Sequence, residues 1–117
     1  MSHILIVDDE PTVLNLSKII LEKQNYQVSA FTCPEKALNS LKELDAIDLL
    51  ITDLIMPKLK GDKLVQEVQK VYRDINSIII SASHDLQDLD LLAMTNTCVL
   101  SKPFHFPDLI KLVEEKL

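Results

Sequence analysis

The chain has 117 residues, 47% of them hydrophobic and only 4% aromatic, so it fits one domain with a core built mainly from Leu, Ile and Val. No apolar run is long enough to cross a bilayer, and the run at residues 4–7 is too short for a signal peptide, which predicts a cytoplasmic protein without a membrane partner. A formal net charge of -6 argues against direct nucleic-acid binding, because phosphate contacts need a basic surface.

Short apolar runs alternate with helical patterns along the chain. The apolar runs, each predicted to be a strand, lie at residues 4–7, 27–31, 49–53, 77–80 and 98–101. Helical spacing follows each run, and the helices are signalled by Pro11, the Thr32 and Glu35 spacing, a capping Asp62, the series Leu86, Leu89 and Leu92, and Pro107. This alternation predicts an α/β fold: a single (βα)5 flavodoxin-like doubly wound parallel sheet with strand order 2-1-3-4-5.

Carboxylates end two of the predicted strands. Asp8, Asp9 and Glu10 follow the first strand, and Asp53 ends the third. These strands are neighbours in the expected order, so Asp8, Asp9 and Asp53 should converge at the sheet edge where open α/β proteins bind ligands. Two negative charges about 4 Å apart repel by roughly 4 kcal/mol at an effective dielectric near 20, so the cluster needs either raised pKa values or a cation. Mg²⁺ suits such oxygen ligands. The alternative is that Asp8 and Asp9 only cap the first helix.

Two further strand ends point to the same edge. Ser81 brings a hydroxyl after the fourth strand, and Lys102 brings an ammonium after the fifth. Each has a simpler reading, Ser81 as a neighbour of a helix cap and Lys102 as a solvated loop charge. With the acids, however, they form a set that can handle a phosphoryl group. The Lys102–Pro103 bond is also a candidate for the cis form.

These motifs resemble those of a response-regulator receiver domain, the phosphoacceptor module of two-component signalling. The resemblance covers essentially all of residues 1–117, as one receiver domain. The motifs that carry it are Ile6-Val7-Asp8-Asp9, Thr52-Asp53-Leu54-Ile55-Met56-Pro57 with Gly61, Ser81-Ala82, and Lys102-Pro103-Phe104.

The resemblance implies a signalling domain that is not an enzyme in the usual sense. Asp53 would accept a phosphoryl group from a phosphohistidine on a sensor histidine kinase or phosphotransfer protein. Asp9, Asp53 and the Ile55 backbone carbonyl would hold Mg²⁺ directly, and Asp8 would act mostly through water. Lys102 would pair with the phosphoryl oxygens, and Ser81 would move to bond one of them and so switch the conformation for a downstream partner or output domain.

Three positions deserve separate predictions. Val99 stands where receivers usually carry Tyr or Phe, so a swing of an aromatic ring cannot accompany switching. Ile55 is apolar and cannot orient an attacking water, which predicts an acyl phosphate that hydrolyses slowly. Gly61 is the only glycine, and we expect it at a turn position with φ > 0.

Two other functions fit parts of the pattern. One is a phosphatase with an aspartyl nucleophile, but such enzymes carry a second acid two residues later, where this chain has Ile55. The other is a receiver fold that no longer switches and serves only as an interaction module, an alternative that Val99 keeps open.

Overall fold

Five parallel strands form one sheet in the computed structural model, in the order β2-β1-β3-β4-β5. The structure describes residues 1–82 and 94–117. The strands are β1 (His3–Val7), β2 (Gln27–Phe31), β3 (Leu49–Asp53), β4 (Asn76–Ala82) and β5 (Thr97–Lys102), and the described helices are α1 (Pro11–Lys23), α2 (Pro34–Ser40), α3 (Gly61–Gln69) and α4 (Phe106–Lys116). The predicted fold and strand order are confirmed. The predicted helix at Leu86, Leu89 and Leu92 lies outside the described residues.

Helices cover both faces of the sheet. On one face Leu5, Leu50 and Ile79 pack in a cluster with buried residues of α2 and α3. On the other face Ile4, Ile51 and Ile78 pack in a second cluster with buried residues of α1 and α4. Because successive side chains of a strand point to opposite faces, a strand between two helical layers must be apolar at nearly every position. The uninterrupted apolar runs of β1, β3 and β4 therefore belong to the centre of the sheet.

Strand registers bring the carboxyl ends of β1 and β3 side by side. The β1–β3 ladder ends at the pair Val7 and Thr52, whereas the β3–β4 ladder continues one residue further, to Asp53 and Ile80. Asp8 and Asp53 therefore both emerge at the same edge of the sheet.

A buried histidine, His3, lies at the amino end of β1, on the side of the sheet opposite to these acids. His3 is 2% exposed; its Nδ1 donates to the Asp45 carbonyl at 3.1 Å, and its Nε2 lies 2.7 Å from the Ser29 hydroxyl. The His3 backbone N–H donates to the Asp48 carboxylate at 2.8 Å. Each polar group of His3 at this edge thus has a hydrogen-bond partner.

The start of α3 differs from the prediction. Asp62 does not cap this helix, because Lys60 occupies the N-cap position and the first helical residue is Gly61. Asp62 lies within the first turn and is buried, and its Oδ1 has no hydrogen-bond partner among the described residues.

Among the described helices, none combines the length and apolar character needed to cross a bilayer.

Candidate functional site

Three carboxylates meet at the carboxyl edge of the sheet. Asp8, Asp9 and Asp53 each place one carboxylate oxygen within 4.8 Å of the other two. Asp8 and Asp53 are buried, with 6% and 7% of their surface exposed, whereas Asp9 is more open to solvent. The convergence expected from the strand order is therefore observed.

Local structure holds Asp8 and Asp53 in place. Asp8 directly follows β1, and its Oδ1 accepts a hydrogen bond from the Glu10 backbone N–H at 2.9 Å, which orients the carboxylate. Asp53 is the last residue of β3. Pro11 begins α1 just beyond the acids, a position that suits proline because its missing N–H would have no partner there.

Lys102 supplies a positive charge beside Asp53. It is the last residue of β5, and its Nζ lies 2.9 Å from Asp53 Oδ1. The Lys102 side chain is 41% exposed, whereas that of Asp53 is 8% exposed, so the ion pair lies at the solvent boundary of the site. The Lys102–Pro103 peptide bond is cis, as predicted.

One ammonium does not neutralise this cluster. Burial raises the pKa of Asp53 above its ordinary value, and the charge of Asp9 adds to the rise, although the hydrogen bond from Lys102 opposes it. Burial also raises the pKa of Asp8, with a further contribution from the charge of Asp53. For Lys102, burial lowers the pKa, but the hydrogen bond to Asp53 and the charges of Asp53 and Asp8 outweigh it, so its pKa is raised. The site therefore favours added positive charge.

The oxygen donors fit a hard divalent cation. Mg²⁺ prefers carboxylate oxygens, takes few of them, and keeps several of its waters. Here the carboxylates are close enough to share one ion, and the solvent-facing Asp9 leaves room for water. Asp8, Asp9 and Asp53 therefore match the ligand chemistry of magnesium.

Ser81 lies within β4 rather than after it. Its side chain is buried, and its hydroxyl donates to the Ala82 carbonyl at 3.0 Å. In the β4–β5 ladder Ser81 pairs with Ser101, whereas Asp53 pairs with Ile80 in the β3–β4 ladder. The structure thus brings Ser81 to the expected edge but commits its hydroxyl to the backbone.

A family model described as a response regulator receiver domain matches residues 4–114. The chain belongs to the response regulator receiver domain family. Members of this family are signalling domains of two-component systems rather than conventional enzymes.

Solved receiver structures superpose closely on this receiver domain. A response regulator receiver domain protein from Clostridium thermocellum has a TM-score of 0.89 and 30% identity, and the match covers 99% of this chain and 94% of that chain. The response regulator TrrA from Thermotoga maritima, solved in complex with Mg²⁺-BeF, has a TM-score of 0.86 and 32% identity, with all of both chains covered.

The curated relatives are longer proteins. The response regulator SaeR from Staphylococcus epidermidis is 32% identical over 111 residues, which are 94% of this chain and 48% of the relative. The receiver domain therefore spans about half the length of this curated relative.

Gly61 and Thr52 contact the backbone of Asp53. Neither contact was predicted from the sequence. Gly61 does not have a positive φ; instead, a Cβ on Gly61 would lie 2.2 Å from the Asp53 carbonyl oxygen. The positive φ in this loop belongs to Lys58, at 73°. Thr52 is fully buried, and its hydroxyl donates to the same Asp53 carbonyl at 2.9 Å. Gly61 is therefore required for close approach and not for turn geometry.

Ile55 lies two residues beyond Asp53, with its side chain turned to solvent. It is 51% exposed, which is high for a large apolar side chain beside a buried site. Its side chain offers no polar group to the site.

Proposed function

We propose that residues 1–117 form one receiver domain that accepts a phosphoryl group on Asp53 in a Mg²⁺-dependent reaction. The donor is a phosphohistidine on a sensor histidine kinase or phosphotransfer protein. The observation that supports this most directly is the joint presence of Asp8, Asp9 and Asp53 within 4.8 Å and of Lys102 at 2.9 Å from Asp53. These are a nucleophile, a cation site and a fixed ammonium at one solvent-facing edge.

Each group has a separate role in this transfer. An Asp53 carboxylate oxygen attacks phosphorus, a P–O bond forms as the P–N bond to the donor breaks, and the donor imidazole leaves. Asp8, Asp9, Asp53 and the Ile55 backbone carbonyl would hold Mg²⁺, which supplies charge neutralisation for the phosphoryl oxygens when bound. Lys102 stabilises the negative charge that develops on the transferred group.

Ser81 provides the switch in this proposal. Its hydroxyl now donates to Ala82, and a phosphoryl group on Asp53 offers a stronger, charged acceptor. Exchange of one acceptor for the other shifts the end of β4. Val99, partly buried against the cluster that includes Ile79, has no ring to swing, so the shift must pass through the backbone and the neighbouring helices to a downstream partner or output domain.

Known relatives support the same reading. TrrA, which is 32% identical over its whole length, was solved with Mg²⁺-BeF. Beryllofluoride carries a tetrahedral arrangement of electronegative atoms like that of a phosphoryl group.

Acetyl phosphate, with and without Mg²⁺, tests the proposal. Intact-mass measurement should show one added phosphoryl group on the wild-type chain, dependent on Mg²⁺ and removed by hydroxylamine, which cleaves acyl phosphates. Asp53→Asn should abolish the addition, whereas Asp74→Asn, an exposed acid after α3, should leave it unchanged. Phosphorylation that persists in Asp53→Asn, or that ignores Mg²⁺, contradicts the proposal.

Val99 keeps the non-switching interaction module as the second candidate. Addition of Mg²⁺ and beryllofluoride should shift backbone amide resonances of β4, β5 and α4 if the domain switches. Shifts confined to residues around Asp53 would favour the interaction module. Sustained hydrolysis of a generic phosphate ester would instead indicate a phosphatase.

A further inference from the structure

We propose that Thr52 is a positioning residue for Asp53: its hydroxyl fixes the Asp53 peptide group and thereby aims the carboxylate at the cation and the phosphoryl donor. This inference rests on the proposed function. It assigns a task to a buried side chain that touches no ligand.

The peptide group that follows Asp53 has strand support on one side only. The β1–β3 ladder stops at Thr52, whereas on the other side Asp53 pairs with Ile80, whose carbonyl accepts the Leu54 N–H at 3.0 Å. The peptide group after Asp53 is therefore held by β4 and lacks a ladder partner on β1. A residue in this position needs another constraint if its side chain is to keep one direction.

Thr52 supplies that constraint from the opposite face of the sheet. Its hydroxyl donates to the Asp53 carbonyl at 2.9 Å and lies 3.9 Å from the Met56 sulfur. Thr52 alternates with Asp53 along β3, so it lies on the same face as Leu50 and Leu54, in the layer of α2 and α3. Because Thr is branched at Cβ, its χ1 is stiff and the hydroxyl direction is well defined.

Gly61 encloses the same carbonyl from α3. The missing Cβ would lie 2.2 Å from the Asp53 oxygen and 3.0 Å from the Asp53 carbonyl carbon, so the α3 backbone is packed directly on this peptide group. The Gly61 N–H also donates to the Leu54 carbonyl at 2.8 Å. Side-chain rotamers depend on the φ and ψ of their residue, so a fixed carbonyl restricts the Asp53 carboxylate as well.

Thr52→Val is the main test, since it keeps the size and the Cβ branch and replaces the hydroxyl with a methyl group. The matched control is Ser77→Ala, which deletes a buried hydroxyl on β4 that has no partner among the described residues. Three quantities are compared: Mg²⁺ affinity by isothermal titration calorimetry, the rate of phosphorylation by acetyl phosphate at saturating Mg²⁺, and unfolding in urea.

We expect Thr52→Val to weaken Mg²⁺ binding and slow phosphorylation by about tenfold each, the lower end of the effect seen when hydrogen-bond partners of metal ligands are removed. Ser77→Ala should match the wild type in both. Thr52→Ser, which restores the hydroxyl, should recover most of the affinity and rate.

The inference is overturned if Thr52→Val loses stability but keeps wild-type Mg²⁺ affinity and phosphorylation rate. If Thr52→Val does not fold, Thr52→Ser decides: near-wild-type affinity supports the positioning role, and a folded Thr52→Ser with tenfold weaker binding refutes it. A wild-type chain that neither binds Mg²⁺ nor is phosphorylated overturns the proposed function itself, and the inference with it.

Discussion

Replacement of Gly61 by alanine should destabilise the domain, although alanine is the better helix former. In an exposed helix the exchange would gain about 1 kcal/mol. Here the new Cβ would lie 2.2 Å from the Asp53 carbonyl oxygen, more than 1 Å short of the 3.4 Å at which ordinary contacts begin. Insertion of a methyl group into packed structure costs about 1–3 kcal/mol when the neighbours must shift. The neighbours at Gly61 are backbone atoms held by Ile80 and Thr52, so we expect the cost to reach or exceed the top of that range.

The net expectation for Gly61→Ala is a loss of about 2 kcal/mol in the free energy of unfolding, which lowers Tm by roughly 8 °C for a domain of this size. Urea titration followed by circular dichroism measures the first quantity, and calorimetry measures the second. Lys63→Ala, an exposed position of the same helix, is the control and should change stability by less than about 0.5 kcal/mol. Since the clash is with the peptide of Asp53, Mg²⁺ binding should weaken as well. A Gly61→Ala domain as stable as the wild type would refute the reasoning.

Three other substitutions have defined outcomes. Asp8→Asn keeps the acceptor for the Glu10 N–H but removes a charge up to 4.8 Å from the other acids, so without Mg²⁺ it should raise the free energy of unfolding by roughly 1–3 kcal/mol. Saturating Mg²⁺ should erase that gain in urea titrations, and a gain that survives would exclude charge repulsion as its cause. Lys58→Asn should add about 0.5 kcal/mol of stability by the same measurement, because asparagine tolerates the φ of 73° better than lysine; a loss would contradict this. Ile55→Asn should shorten the half-life of the acyl phosphate by placing a polar group beside Asp53, and an unchanged or longer half-life would count against the hydrolysis argument.

The strands and the acids at their ends could be read from the sequence because each rests on a short-range pattern, and the strand order then followed from the connection rules for parallel sheets. A central strand between two helical layers is apolar at nearly every position, as in residues 49–51, and a carboxylate at the end of such a strand is conspicuous. Pro11 and Pro107 lie in the first turn of their helices, since proline at that position sacrifices no hydrogen bond.

The contacts around the Asp53 peptide could not be read in the same way. A sole glycine indicates that a side chain is excluded at Gly61, but a sequence does not distinguish a positive φ from a close approach by distant backbone. The start of α3 was missed for a related reason: its position is set by the packing of Gly61 on Asp53, not by a capping side chain at Asp62. Thr52 gave no signal because threonine is common in strands, and its hydroxyl bond depends on the turn that follows Asp53.

The polar groups at the two ends of β1 differ in their electrostatic surroundings. At the first end, His3 reaches its full hydrogen-bonding capacity with Asp45, Ser29 and Asp48. At the far end, Asp8 lies with Asp9 and Asp53 in a cluster of like charges, their carboxylate oxygens within 4.8 Å of one another. One strand thus joins an end whose polar groups are paired to an end whose charges repel one another. Substitutions among the acids are therefore expected to alter the proposed phosphoryl chemistry, while the hydrogen bonds of His3 hold the other end of β1.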